Sequence, residues 1–200
     1  MRTAGARPLA SSNVTVYAAA LNFRDSLEAL GDLNAEPYKG PPKAPVLYIK
    51  TPNTLSVSGA PIRVPAGVSQ LKMGGTLGWV VGRGWVVAND VSIPHSSYFR
   101  PAIKERCRDG FLVLSPIFFR SADSDADIRI TVNDKTTVAS TRDLIRPVKK
   151  LIEEISEFLT FELGDILLVG EPPNAPLAGV GDRVCVEIDG ESIESVLEPE

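Results

Sequence analysis

Residues 104–109 read Lys-Glu-Arg-Cys-Arg-Asp, a dense run of charge in a chain otherwise ordinary in composition. A guanidinium is a planar fork that suits a carboxylate and neither gives up nor accepts a proton near neutral pH. Arg24, Lys50, Arg100, Lys104, Arg106 and Arg108 are therefore candidate holders of a polyanionic ligand. The plainer alternative is that they are solvated, or pair with acids such as Glu105 and Asp109. Asp90, within Asn89-Asp90-Val91-Ser92, is a carboxylate that could cap a turn or pair with a basic neighbour. A lone carboxylate holds Mg²⁺ weakly, because that ion prefers an octahedral shell of several oxygens. The one histidine, His95, lies in a loop-like stretch and could titrate near neutral pH, but no carboxylate flanks it. No Ser-His-Asp arrangement is recognisable, and Cys107 and Cys185 have neither CxxC nor metal-ligand spacing. Two reduced thiols in a cytoplasmic protein is the reading that follows.

The elements that must position these groups are mostly short strands. The chain has 16 Gly and 16 Pro, a count that favours many turns. Residues 14–21 are β-rich, with Arg2 and Arg7 before them, and read as a first strand rather than a signal peptide. Residues 22–30 have a helical face of Phe23, Leu27 and Leu30, stopped by Gly31. Residues 46–49 form a short strand, 51–58 look turn-like, and 61–65 enclose a short extended piece. Residues 76–81 and 85–89 read as strands joined tightly through Gly82-Arg83-Gly84. Gly74 and Gly75 weaken a strand and often mark the close approach of another chain or ligand. Trp79 and Trp85 flank the turn and read as packing residues. Residues 93–107 are irregular and polar, and 111–119 strongly apolar. Residues 128–132 alternate cleanly, and Asn133-Asp134 turns the chain into a partner strand. Leu144, Val148, Leu151, Ile152, Ile155 and Leu159 share a helical face, which predicts a helix over about 146–163 that Gly164 stops. Residues 166–169 and 184–188 are further strands, and 191–200 read as a solvated acidic end.

The expected fold class is α+β, mainly β, with one long helix near 146–163. Residues 1–12 read as a flexible tail and 13–200 as a single domain, since no linker breaks the middle of the chain. A formal charge of −4 and a pI near 5.2 argue against a general affinity for nucleic acid or anionic membrane. No stretch approaches the roughly 18 apolar residues that span a bilayer.

Several segments, in order, resemble the fumarylacetoacetate hydrolase family. They are Asn22-Phe23-Arg24-Asp25-Ser26, Pro45 to Lys50, Leu77 to Gly82, and Asn89 to Ser92. Gly164-Asp165 to Gly170 and Gly181-Asp182-Arg183-Val184 complete the set. The run 20–31, the proline-rich 38–45, and residues 93–101, 107–111 and 173–177 are most similar to one branch. That branch is the N-terminal half, or separate subunit, of the bifunctional isomerase/decarboxylases of homoprotocatechuate (4-hydroxyphenylacetate) breakdown. The resemblance implies a mixed β-roll or sandwich and small unsaturated oxo- or hydroxy-polycarboxylate substrates.

The resemblance also implies a Glu-x-Glu pair and an aspartate gripping a divalent cation. Counted back from Gly82, the two glutamates fall on Gly74 and Thr76, and only Asp90 matches the third position. The family's catalytic histidine falls on Ser26, its supporting glutamate near Ala29, and its catalytic lysine on Arg106. The chain therefore resembles a half whose metal site has been lost. Asp90 and Arg106 remain as catalytic candidates, and Asn22, Arg24, Lys50 and Arg106 as substrate-binding ones. No cofactor is expected in this chain, and Mg²⁺ or Mn²⁺ in the partner half. The expected partner is a homologous metal-bearing subunit, or a second copy in a pseudo-symmetric dimer. Two other readings stay open: a stand-alone, metal-independent isomerase, and a non-catalytic carboxylate-binding or structural homologue.

Overall fold

The computed structural model describes residues 14–36, 39–95 and 102–200. The expected tail, Tyr38, Arg100 and most of 93–101 lie outside the described residues. The first half runs β1 (Val16–Ala20), α1 (Arg24–Glu28), β2 (Val46–Lys50), β3 (Leu55–Val57), β4 (Ile62–Val64), β5 (Leu71–Val80) and β6 (Gly84–Ser92). The second runs α2 (Ile103–Arg106), β7 (Leu112–Leu114), β8 (Asp127–Val132), β9 (Lys135–Ser140), α3 (Val148–Ser156), β10 (Ile166–Leu168), β11 (Leu177–Ala178), β12 (Arg183–Ile188) and β13 (Glu191–Pro199). The larger sheet has the order β2-β1-β10-β5-β6-β7-β3, with β11 on β5, and the smaller β4-β13-β12-β8-β9. Among the described residues no helix is long and apolar enough to cross a membrane.

The larger sheet curls. In a flat sheet, β2 and β6 would stand four strand spacings apart, about 19 Å at ~4.8 Å each. Yet Lys50 on β2 and Asp90 on β6 touch at 2.7 Å. The concave face closes over Val16, Ala18, Val80, Val86, Ala88, Leu112, Leu114, Ile166 and Leu168. On the convex face, Met73, Leu77, Val87 and Val91 pack against Ile128, Ile130, Val184 and Val186 of the smaller sheet. Beyond that sheet's reach, α3 covers the same face with Leu151 and Ile155 against Ala19 and Leu167. A strand buried on both sides has no polar alternation to show, and β5 is buried at all but two of its ten residues.

The glycines of β5 make this closeness possible. A methyl group on Gly75 would come within 2.6 Å of Ile130 and 2.9 Å of Val186 across the sheet interface. One on Gly78 would come within 2.8 Å of Val86. Gly82, at φ +69°, turns β5 into β6, whose register pairs Trp79 with Trp85 and Gly74 with Asp90.

Four elements differ from the sequence expectation. The long helix spans only Val148–Ser156, with Pro147 at its N-cap in an extended conformation. One further turn bond reaches Leu159, and the chain then leaves the axis to set Phe161 edge-on to Tyr17 and Trp79, each at 5.6 Å. The turn-like 51–58 contains β3, which pairs in parallel with β7. The polar 93–107 contains the four-residue α2. The acidic 191–200 is not a solvated end: β13 lies between β12 and β4, with Ile193 and Leu197 buried. Glutamates mask this strand in a charge count, but its alternate residues Ile193, Ser195 and Leu197 face inward.

Candidate functional site

One rim of the curled sheet gathers six side chains. Tyr48 and Lys50 lie two apart on β2 and so share a face. Asp90 comes from β6, Lys72 from β5, Arg106 from the last residue of α2, and Glu171 from just past β10. Lys50 is buried, its Nζ 2.7 Å from Asp90 Oδ1, and it donates to the carbonyls of Val91 at 3.1 Å and Phe111 at 2.9 Å. The Tyr48 hydroxyl donates to Asp90 Oδ2. Arg106 reaches Tyr48 Oη at 3.0 Å and Asp90 Oδ2 at 3.3 Å through one terminal nitrogen. Its other terminal nitrogen donates to Glu171 Oε2 at 2.9 Å. The guanidinium carbon stands 4.5 Å from the centre of the Tyr48 ring, a cation–π contact. Lys72 Nζ lies 2.7 Å from Glu171 Oε1, close in charge but too misaligned for a hydrogen bond.

The electrostatics follow from burial. Burial alone would raise the pKa of Asp90, but the charges of Lys50 and then Arg106, with hydrogen bonds from Lys50 and Tyr48, outweigh it and hold Asp90 below its ordinary value. Burial, and next the Asp90 charge, push the Tyr48 phenol well above its usual range. Burial disfavours the Arg106 cation, but Tyr48, Asp90 and Glu171 more than compensate, and its pKa rises. The cluster is thus Lys50, Lys72 and Arg106 against Asp90 and Glu171, one positive charge in surplus.

Arg106, Lys72, Glu171 and Tyr48 open onto a cleft of about 120 Å³. Leu21, Leu30 and Pro173 supply apolar lining, and Ser26 and Ala29 also face it. That volume is well below the roughly 300–1,000 Å³ of sites for drug-sized ligands and suits a small molecule. The two positions that the resemblance assigns to a histidine–glutamate dyad therefore do sit at the cleft, as a hydroxyl and a methyl group.

Of the residues that the sequence suggested, Lys50, Asp90 and Arg106 are brought together. Asn22 and Arg24 are not. The buried Asn22 amide donates to Val169 O at 2.8 Å and Arg146 O at 3.1 Å and accepts from Arg146 N at 3.0 Å. It clamps the end of β1 to the chain entering α3. Arg24 is exposed on α1 and is not part of the cleft lining. Lys104 is exposed, Arg108 pairs with Glu200, and His95 sits 3.1 Å from Ile93 O. Three site residues escaped the sequence reading: Tyr48, Lys72 and Glu171. Only Tyr48 carried a signal, its i, i+2 spacing from Lys50.

The donor set does not fit a divalent cation. Gly74 offers no side chain, and the Thr76 hydroxyl donates to Gly170 O at 2.6 Å. Both oxygens of Asp90 and both of Glu171 already face cationic groups. Among the described residues no group of three His, Cys, Asp or Glu converges to hold a metal.

The chain matches the Fumarylacetoacetate (FAA) hydrolase C-terminal family over residues 15–84 and 83–196, two stretches that meet at the Gly82 turn, and it belongs to that family. It is 36% identical over 193 residues to the 4-hydroxyphenylacetate degradation bifunctional isomerase/decarboxylase of Escherichia coli. That alignment takes in 88% of this chain and 45% of the relative, so the chain spans about half the length of this protein. A mitochondrial oxaloacetate tautomerase of Caenorhabditis elegans is 28% identical, with 90% of this chain aligned to 91% of that one. Among solved structures, the 2-hydroxyhepta-2,4-diene-1,7-dioate isomerase of Mycobacterium marinum superimposes with a TM-score of 0.75. That match is at 24% identity over 93% of this chain and 75% of the other, and it speaks to the fold.

Proposed function

We propose that this chain is the metal-deficient N-terminal half of a two-part isomerase/decarboxylase of 4-hydroxyphenylacetate breakdown. Its partner is a homologous half that keeps the Glu-x-Glu pair and carries Mg²⁺ or Mn²⁺. The substrates of the pair are small unsaturated oxo- or hydroxy-polycarboxylates, and loss of carbon dioxide from such an acid leaves an enolate that a divalent cation stabilises. This half completes the assembly and lends a cleft of fixed positive charge. The observation that carries the reading is the Arg106 guanidinium seated between the carboxylates of Asp90 and Glu171, with the bare Gly74 opposite Asp90 in the sheet register. The alignment to just under half of the Escherichia coli enzyme supports the two-part arrangement.

The test is reconstitution. Purified alone, the chain should hold no stoichiometric Mg²⁺ or Mn²⁺ by elemental analysis and show little decarboxylase activity. Mixed with a homologous half that retains Glu-x-Glu, it should form a stable complex and raise that half's turnover. A tightly held cation in the lone chain, or no complex with such a half, would overturn the proposal.

A second reading, a stand-alone isomerase working without metal through Asp90 and Arg106, gains support from the tautomerase relative, which is matched along nearly its whole length. Enol isomerisation by the lone chain, abolished in Asp90→Asn, would favour it.

A further inference from the structure

We propose that Glu171 is a built-in carboxylate that fills the anion seat of this cleft and so decides which ligands enter it. The inference rests on the reading of the cleft as a small-carboxylate site and deepens it. Arg106 and Lys72 are the two cationic side chains that line the cleft, and Glu171 holds both, Oε2 on the guanidinium at 2.9 Å and Oε1 beside the ammonium at 2.7 Å. The Glu171 side chain is 9% exposed, and its Oε1 is buried without a well-formed hydrogen bond. A buried acceptor left in that state costs free energy unless charge holds it there.

The backbone keeps Glu171 in place. Gly170 precedes it at φ +141°, and the Gly170 carbonyl accepts from Thr76 Oγ1 at 2.6 Å. Gly74 clears the room it needs, since a Cβ there would lie 3.1 Å from Glu171 Cγ. The bare strand position opposite Asp90 and the acid beyond β10 are thus two parts of one arrangement.

With Glu171 present, the charge surplus of the cluster is one, and Glu171 is the carboxylate that both cations facing the cleft touch. A ligand carboxylate must displace that group or bind beside it against repulsion. Neutralising Glu171 raises the surplus to two and leaves no carboxylate in the seat. A unit charge about 4 Å away is worth roughly three powers of ten in affinity at an effective dielectric of 20. Desolvation of the ligand offsets part of this, so a gain of at least about tenfold is expected.

The experiment compares pyruvate and succinate binding to the full chain by titration calorimetry, for wild type, Glu171→Gln and the double variant Glu171→Gln/Lys72→Met. Glu157→Gln, an exposed acid past the end of α3, is the control. Glu171→Gln should bind pyruvate at least about tenfold more tightly than wild type, with succinate gaining as much or more. The double variant should fall back toward wild type, and the control should not change. Should glutamine at 171 unfold the chain, Glu171→Ser serves the same comparison. Equal affinity in wild type and the folded 171 variant overturns the proposal, as does a gain that survives loss of Lys72. The lone chain suffices here, so failure to pair with a metal-bearing half would sink the subunit reading and leave this result standing.

Discussion

Lys50 and Asp90 form the buried pair on which the site rests, and its disruption should be severe and non-additive. Each residue is 1% exposed, and the ammonium also satisfies two backbone carbonyls. Lys50→Met removes the cation but keeps much of the apolar stem. Asp90 is then left with Arg106 and Tyr48, and the carbonyls of Val91 and Phe111 lose the ammonium, Phe111 O keeping its bond from Val91 N at 3.0 Å. Removing one partner of a buried ion pair costs about 3–5 kcal/mol. For a chain of this size roughly 2–4 °C of Tm accompanies each kcal/mol, so a fall of about 6–20 °C is expected. Asp90→Asn should cost a similar amount, because it strands a buried ammonium without a counter-charge. The double variant leaves neither charge alone and should be milder than the two losses combined, with a coupling of about 1–3 kcal/mol. Urea denaturation of all four proteins, followed by Trp79 and Trp85 fluorescence, measures both quantities. Single losses below about 1 kcal/mol, or strict additivity, would refute the claim that this pair is a buried, mutually dependent unit.

Two further outcomes follow from the same geometry. Gly74→Ala should destabilise by at least about 2 kcal/mol in a thermal melt, because its Cβ would meet the Asp90 carbonyl oxygen at 2.5 Å and backbone must shift. The depressed pKa of Asp90 sets the sign of an acid response. Its stabilisation is fully present above the unfolded carboxylate value of about 3.9 and is lost as pH falls through the lower folded value. Urea midpoints from pH 6 down to pH 3 should therefore drop steeply in wild type and less so in Asp90→Asn, and parallel curves would contradict the assignment.

The strands that alternate were legible in the sequence, and those buried on both faces or disguised by charge were less so. Residues 128–132 and 184–188 announce one buried face and became β8 and β12. β13 carries the same alternation beneath its glutamates, and net acidity hid it. The apolar spacing that suggested a helix to residue 163 is real as far as Leu159. A helical period cannot, however, reveal that Phe161 finds a better place against Tyr17 and Trp79. Asp90, Lys50 and Arg106 could be nominated from the chain. The curl that joins β2 to β6 is a tertiary fact, so their contact could not be read from spacing.

Glu171 shows most clearly why the rest stayed hidden. It lies 97 residues beyond Gly74 in the chain, yet the two compete for one volume beside Asp90. Read alone, Gly74 is only a strand position without a side chain. Read with Glu171, it is the room into which an acid from beyond β10 reaches, bringing its charge to Arg106. Arg106 sits within 3.3 Å of one carboxylate and 2.9 Å of the other, a fixed cation that neither exchanges nor needs loading. The bare Gly74, the acid at 171 and the guanidinium of Arg106 therefore form one coupled arrangement of charge and packing. Acids placed at 74 and 76 alone would add negative charge to a site whose cation is already satisfied, and metal binding there would require removing Arg106 and Glu171 as well.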